Sequence, residues 1–183
     1  MAQISLKSLM NNSVPTYAVE VAQPFRDELT EINFKEMLTP ADVDAALNKQ
    51  DDKVALVVLN SVCGCAARGA RPGAIFSFLN DVIPDEYYTV FAGMEKEAVD
   101  HFRGKYLQGI TPSSPNIALL KNGELVHIHQ RYQIEGKSAG QIAQELANEY
   151  DKLCNKTYSA EELDNLKNYL VKRYHVSMES LNE

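Results

Sequence analysis

The sequence predicts an α/β fold with three layers, in which helices cover both faces of a central mixed β-sheet, and an extra C-terminal helix. The run VALVVL at Val54–Leu59 is continuously apolar, as strands are when helices cover both faces of their sheet. Strand and helix patterns alternate along the chain before a final pair of strands. Asn122-Gly123 separates these last two apolar runs, and this dipeptide is the strongest short signal for a β-hairpin.

The overall composition is that of an ordinary globular protein, with 183 residues of which 23% are charged and 45% apolar. This length suits one domain with an appended element. The net charge of −7 argues against a nucleic-acid partner, because phosphate contacts need a basic surface. No apolar run approaches the roughly 20 residues of a membrane helix, so we expect no membrane partner.

The cysteines indicate a reducing compartment. Cys63 and Cys65 are too close in sequence to connect distant parts of a fold, and the total of three is odd. The N-terminal segment MAQISLKSLMNNSVP also lacks the layout of a signal peptide. We therefore expect a cytoplasmic protein with catalytic thiols rather than a secreted disulfide framework. Cys154, near a predicted helix end, is expected to be a structural thiol.

The chain divides into an N-terminal arm at residues 1–22, an α/β domain at residues 23–156 and a C-terminal helical extension at residues 157–183. The arm shows no clear period. The extension contains one helix, which starts at the capping box Ser159–Glu162 and runs to about Tyr174. Its apolar face has to dock either on the same chain or on a second copy, so a homodimer through this helix is one expectation.

Within the domain, Thr39-Pro40 predicts a helix start, with threonine as N-cap and proline at the first helical position. The helix that follows Cys65 should reach about Asn80, and Pro72 in its interior should kink it. The other predicted elements are a helix from Pro24, strands at Phe34–Leu38, Lys53–Asn60 and Tyr87–Ala92, a helix at Glu95–Phe102, the hairpin strands Asn116–Lys121 and Glu124–His129, and a helix at Ser138–Cys154.

Cys63-Gly64-Cys65 lies between the apolar strand and a helix. Residues two apart on a helix point in nearly opposite directions, so Cys63 has to lie outside the helix for the two sulfurs to meet. Gly64 would adopt the torsions that this closure requires. At the N-cap, the helix dipole and free N–H groups favour the Cys63 thiolate. We predict that Cys63 is the attacking sulfur and Cys65 the resolving one.

The single residue between the two cysteines limits which thiol-disulfide reactions this pair carries out well. A Cys-Gly-Cys disulfide closes a smaller ring than Cys-x-x-Cys and departs from relaxed geometry, which makes it easier to reduce. Such a pair should donate electrons poorly to other disulfides. Its better role is to accept a thiol adduct on Cys63, with Cys65 placed to release it.

Two other interpretations use the same residues. A metal-binding module or metallochaperone would ligate through Cys63 and Cys65, with His127 and His129 on one face of a strand as further ligands. Zinc prefers four ligands, the sequence has no second cysteine pair, and two such histidines are more often solvent-facing, so we assign no metal. A non-catalytic interaction protein would instead use its C-terminal helix for docking and leave the two thiols without function.

The element order, the dithiol at a helix start and the proline before the hairpin resemble the thioredoxin-like fold. That resemblance implies a cis Pro115 beside the dithiol, where the Ser114 backbone would pair with an extended substrate and Pro115 would shield the thiols from metal. Helical spacing places Arg68 near the face of Cys65. There it would favour the thiolate or hold a substrate carboxylate, unless it is simply a solvated surface arginine.

The segments SVCGCAARGARPG, VFAG, SSPNIALLKNGELVH and QIEG together resemble the bacilliredoxins, a family of thioredoxin-like proteins, over about Gln23 to Cys154. The resemblance implies that Cys63 takes bacillithiol from S-bacillithiolated proteins, that Cys65 or a second bacillithiol resolves the adduct, and that disulfide isomerase activity accompanies this. Bacillithiol would be a co-substrate, with no bound cofactor. Its malate carboxylates suit a cation, so the expected substrate-binding residues are Ser114, Pro115, Arg68 and Gly64.

Overall fold

The computed structural model describes residues 14–181. Its five strands form one mixed sheet in the order β1-β3-β2-β4-β5, in which β1, β2 and β3 are parallel and β4 and β5 are antiparallel to their neighbours. The strands are β1 (Lys35–Glu36), β2 (Val54–Asn60), β3 (Glu86–Phe91), β4 (Asn116–Lys121) and β5 (Glu124–His129). All seven residues of β2 are buried, as its continuously apolar sequence predicts.

Helices cover both faces of this sheet. They are α1 (Val19–Thr30), α2 (Pro40–Leu47), α3 (Arg71–Phe76), α4 (Lys96–Tyr106), α5 (Arg131–Ile134), α6 (Ala139–Leu153) and α7 (Ala160–Tyr174). One apolar core joins the sheet to α1, α3, α6 and α7, and a second core joins its other face to α2 and α4. This arrangement confirms the predicted thioredoxin-like α/β/α architecture with an additional C-terminal helix.

Local signals fix the ends of several elements. Thr39 caps α2, because its hydroxyl accepts from the Asp42 N–H while the Asp42 carboxylate accepts from the Thr39 N–H. The same reciprocal capping starts α6 at Ser138 and α7 at Ser159. In the hairpin, Asn122 and Gly123 both have positive φ, 53° and 77°, which two-residue turns between strands require.

The first helix begins at Val19, five residues before the Pro24 start that the sequence indicates. Pro24 therefore lies inside α1 and forgoes one helical hydrogen bond. Burial offsets this loss, since Ala22 is fully buried against Phe91 and Met94. Residues 1–13 of the predicted arm lie outside the described residues.

The segment after Cys65 is not one kinked helix. Ala66–Ala70 forms a π-helical turn closed by the Arg71 N–H on the Ala66 carbonyl, α3 follows, and Ser77–Leu79 is a 3₁₀ turn. Pro72 has no N–H and its ring crowds the preceding turn, and a wider π-helical turn accommodates both effects. The expected kink is thus replaced by a change of helix type.

The C-terminal helix α7 docks on its own chain. Leu166 and Leu170 are 5% and 0% exposed within the core that α1, α3 and α6 share. The Tyr169 hydroxyl donates to the Glu28 carbonyl at 3.0 Å. The apolar face that suggested a homodimer is therefore buried within the chain, and a homodimer stays an untested prediction. None of the helices in residues 14–181 has the length and hydropathy of a membrane span.

Candidate redox site

The central strand β2 delivers the dithiol to one end of the sheet. Its last residue is Asn60, and Cys63 follows just outside the next helical turn, where its carbonyl accepts from the N–H groups of Ala66 and Ala67, both at 3.1 Å. Cys63 is therefore in the N-cap position that the sequence predicts. The Sγ atoms of Cys63 and Cys65 lie 2.7 Å apart, farther than the about 2.05 Å of a disulfide, and both are thiols.

The surroundings of Cys63 favour its thiolate. Burial raises the pKa of Cys63, but hydrogen bonds from the Cys65 thiol, the Ser61 hydroxyl and the backbone N–H groups of Ala66 and Cys65 outweigh it, and the net pKa is lowered. Hydrogen bonds to a charged sulfur stabilise that form. Cys63 is also only partly buried, so an incoming disulfide can reach it.

Cys65 behaves in the opposite way. Burial raises its pKa first, and its hydrogen bond to Cys63 and the charge of that neighbour raise it further. The positive charge of Arg131 on α5 lowers the pKa of Cys65, but the net pKa of Cys65 is still raised. Arg131 was missed by the sequence reasoning, because no local spacing connects α5 with the dithiol.

Ser61 is a second residue that the sequence reasoning missed. Its Oγ atom lies 3.1 Å from the Cys63 sulfur. The sequence does contain a signal for this contact, because Ser61 precedes Cys63 by two positions. Residues i and i+2 of an extended segment point to the same side.

Arg71 lies beneath this loop and is fully buried. Its Nε donates to the Glu28 carboxylate at 2.7 Å, and one terminal nitrogen donates to Asn60 Oδ1 at 3.0 Å and to the Ser61 carbonyl at 2.9 Å. Its guanidinium also packs 4.7 Å from the Phe25 ring centroid. A charge so deep in a protein needs such partners, and these partners connect it with the turn that carries Cys63.

A groove of about 430 Å³ opens beside the dithiol between Gly64, Cys65 and Arg68 on one side and the loop Ile134–Ser138 on the other. Arg68 is exposed, and its guanidinium lies over Gly64, where an added Cβ would be 3.3 Å from an Arg68 Nη atom. The structure thus brings Arg68 to the same groove as Cys65, as its helical spacing predicts, and also places it over Gly64. The opposite wall comes from a loop far along the chain.

The Ser114–Pro115 peptide bond is cis, as predicted. The next residue, Asn116, begins β4 opposite Leu59 of β2, so Pro115 lies at the same end of the sheet as the dithiol. The Arg103 guanidinium holds the preceding loop by donating to the Ser113 carbonyl at 2.9 Å. Substrate pairing with Ser114 stays a prediction.

Contrary to expectation, His129 does not face solvent, whereas His127 is partly exposed. His127 Nε2 lies 3.2 Å from His129 Nδ1, and His129, only 3% exposed, bonds the Glu145 carboxylate at 2.8 Å. Glu145 belongs to α6, so packing of this helix on β5 turns His129 inward. Across residues 14–181 no group of three or more His, Cys, Asp or Glu side chains is arranged to hold a metal.

Cys154 lies away from this chemistry, at the C-terminal end of α6. It is 6% exposed, and burial raises its pKa to about 12. A thiol that stays protonated at neutral pH is a poor nucleophile. These surroundings fit the structural role expected for Cys154.

The chain is similar to known proteins whose names describe thiol-disulfide chemistry, in agreement with the geometry of the dithiol site. A family model described as disulphide isomerase matches residues 17–154. Bacilliredoxin BH1716 of Halalkalibacterium halodurans is 47% identical over 138 residues, which are 75% of this chain and 94% of the relative. A bacilliredoxin of Salinibacter ruber is 44% identical over 139 residues (75% and 81%), and bacilliredoxin ABC2045 of Shouchella clausii is 43% identical over 147 residues (80% and 100%). The chain therefore belongs to the bacilliredoxin family, as its sequence indicates, and it is a thiol-disulfide oxidoreductase.

Proposed function

We propose that this protein removes bacillithiol from S-bacillithiolated proteins. The Cys63 thiolate attacks the bacillithiol sulfur of the mixed disulfide, so that a Cys63–bacillithiol disulfide forms and the client protein leaves as a thiolate. Cys65 then attacks the Cys63 sulfur, which forms the Cys63–Cys65 disulfide and releases bacillithiol as a thiolate. Alternatively, a second bacillithiol thiolate attacks the bacillithiol sulfur of the adduct, which forms bacillithiol disulfide and releases Cys63 as a thiolate. We place this reaction in the cytoplasm, where thiols are kept reduced.

One observation carries the proposal: two sulfurs 2.7 Å apart have pKa values shifted in opposite directions. The partly buried Cys63 is held toward thiolate, as an attacking sulfur requires. Cys65 stays protonated until Cys63 carries an adduct. At that point the Cys63 negative charge is gone, and with it one of the causes that raise the pKa of Cys65.

The groove beside the dithiol supports bacillithiol as the group transferred. An adduct on Cys63 can extend past Gly64 toward Arg68, whose exposed guanidinium suits the carboxylates of a malate moiety. We assign substrate binding to Gly64, Arg68, Ser114 and Pro115. No bound cofactor is needed, because bacillithiol itself is the co-substrate.

Disulfide isomerisation is a second candidate activity, and the match to a family described as disulphide isomerase favours it. It would use the same first step, in which Cys63 attacks a client disulfide and a client thiolate later displaces it. Refolding of a scrambled disulfide protein without added bacillithiol separates the two activities. Recovery of native disulfides that depends on Cys63 would support isomerase activity, and no recovery would exclude it.

The test of the main proposal follows the masses of both partners. Reduced protein is incubated with a bacillithiolated client, and intact mass spectra are recorded over time. We expect the client to lose one bacillithiol, Cys65→Ala to retain the adduct on Cys63, and Cys63→Ser to leave the client modified. Cys154→Ala is the matched control and should behave as wild type. Removal of bacillithiol by the Cys63→Ser protein would overturn the assignment.

A further inference from the structure

The buried guanidinium of Arg71 forms hydrogen bonds with the turn between β2 and Cys63. Arg71 donates to the Ser61 carbonyl at 2.9 Å and to Asn60 Oδ1 at 3.0 Å. Asn60 Oδ1 also accepts from the Ser61 N–H at 2.8 Å. Both backbone polar groups of Ser61 are therefore fixed, one directly by Arg71 and the other through Asn60.

This anchoring determines where the Ser61 hydroxyl lies. Ser61 is 7% exposed, and its Oγ atom contacts the Cys63 sulfur at 3.1 Å. If the Ser61 backbone moved by a fraction of an ångström, this bond would lengthen and weaken. The hydrogen bonds of Arg71 end at Glu28, Asn60 and the Ser61 carbonyl, and of these three residues Ser61 is the one that contacts the Cys63 sulfur.

The same network reaches the C-terminal helix. The Glu28 carboxylate accepts from Arg71 Nε at 2.7 Å and from an Arg173 terminal nitrogen at 3.2 Å. Tyr169 additionally holds the Glu28 carbonyl at 3.0 Å. Tyr169 and Arg173 belong to α7, which lies beyond the residues 17–154 that match the family. The extension thus contacts Glu28, the counter-ion of Arg71, and the charge of Arg71 also acts on the Tyr174 hydroxyl of α7, where it lowers the pKa that burial raises.

We propose that Arg71 is a positioning residue for Cys63, acting through Ser61, and that α7 supports it by holding Glu28. The C-terminal extension is then part of the apparatus that sets thiol reactivity. This role concerns the reactivity of Cys63 toward any electrophile, so it does not depend on bacillithiol as the substrate.

The test measures the rate of Cys63 alkylation by iodoacetamide against pH. All variants carry Cys65→Ala, so that the label reports Cys63, while the buried Cys154 stays protected. Removing the Ser61 hydrogen bond should raise the Cys63 pKa by roughly one unit. At neutral pH the fraction of Cys63 present as thiolate should then fall about tenfold. A more basic thiolate is about threefold more nucleophilic, so the alkylation rate should fall only about threefold.

A double-mutant cycle distinguishes positioning from a general structural role. Arg71→Lys should slow alkylation about as much as Ser61→Ala, and the double variant should be no slower than either single one. If Arg71→Lys slows alkylation equally in the Ser61 and the Ser61→Ala backgrounds, the route through Ser61 is wrong. An Arg71→Lys protein whose alkylation rate has the same pH profile as the parent would also overturn it. If Arg71→Lys does not fold, Glu28→Gln replaces it in the same cycle, since it removes the counter-charge that orients Arg71.

The contribution of α7 is tested by Arg173→Ala, with Lys172→Ala as the matched control. Both variants remove one exposed cation from the same turn, and Arg173 is the one that contacts Glu28. We expect Arg173→Ala to shift the alkylation profile to higher pH by a smaller amount than Ser61→Ala, and Lys172→Ala to leave it unchanged. Identical profiles for the two variants would overturn the role of α7. Failure of the bacillithiol assay would leave these results unaffected.

Discussion

Cys63 and Cys65 hold their sulfurs 2.7 Å apart, yet their pKa values move in opposite directions. The same hydrogen bond produces part of both shifts, because it stabilises a thiolate on Cys63 and requires a proton on Cys65. Two nearby groups that interact strongly titrate as a pair. The dithiol therefore holds Cys63 toward thiolate and Cys65 toward the protonated thiol before any substrate arrives, as the proposed attacking and resolving roles require.

Replacing Cys65 should make Cys63 less acidic. In Cys65→Ala the hydrogen bond from the second thiol is lost, so the pKa of Cys63 should rise and its alkylation profile should move to higher pH. Site-resolved mass spectrometry after iodoacetamide labelling measures Cys63 in both proteins. A profile that stays in place, or moves to lower pH, would contradict the role of this hydrogen bond.

Arg68→Ala should slow turnover of bacillithiol adducts more than turnover of a small neutral disulfide. Arg68 is exposed, and exposed charge pairs contribute up to about 1 kcal/mol, which corresponds to a loss of about fivefold. The comparison uses kcat/KM on both substrates. Lys35→Ala, which removes an exposed cation from the edge strand β1, serves as the charge-matched control. Equal losses of kcat/KM on the two substrates would refute a carboxylate-binding role.

Two glycine substitutions should have opposite effects on stability. A Cβ on Gly73 would lie 2.7 Å from Cγ2 of Ile142, where α3 packs against α6, so Gly73→Ala should lower the free energy of unfolding by about 1–3 kcal/mol. Nothing lies within 4 Å of a Cβ on Gly104, inside α4, so Gly104→Ala should raise it by about 0.5–1 kcal/mol. Urea unfolding of both variants checks the pair. A stabilising Gly73→Ala would show that α3 and α6 are not closely packed.

Alkaline pH should destabilise the protein partly through Cys154. Its folded pKa is about 12, whereas an unfolded thiol has a pKa of about 8.5. Above pH 9 the unfolded state binds fewer protons than the folded one, so the free energy of unfolding falls as pH rises. Between pH 8 and 10.5 we expect Cys154→Ala to lose less stability than wild type, by about 2–2.5 kcal/mol. Parallel losses in urea unfolding at the two pH values would contradict this.

Much of the site was accessible from sequence because it is encoded locally. The position of Cys63 before the helix follows from the separation of the two cysteines, and Arg68 lies on the side of Cys65 because three to four residues make about one helical turn. Ser61 was equally accessible, through its spacing from Cys63. Arg131 and the loop Ile134–Ser138 were not, because they reach the dithiol only when β5 pairs with β4.

Two of the errors, at Pro24 and at His129, have the same origin. Pro24 is an unfavourable helix interior residue by local propensity, but burial of Ala22 extends α1 back to Val19. The alternating pattern of β5 predicts that His129 lies on an exposed face of the sheet, but α6 covers that face. In both cases tertiary packing overrides a local preference, which is weak by comparison.

The sequence by itself determined the buried strand β2, the hairpin at Asn122-Gly123, the helix caps and the N-cap position of Cys63, because each depends on residues a few positions apart. Only the tertiary structure decided that α7 docks on its own chain, that Arg71 is buried rather than solvated, and that Glu28 connects the two. These contacts join residues 43 and 145 positions apart in the sequence. Their geometry is set by how the helices pack on the sheet, which no local pattern specifies.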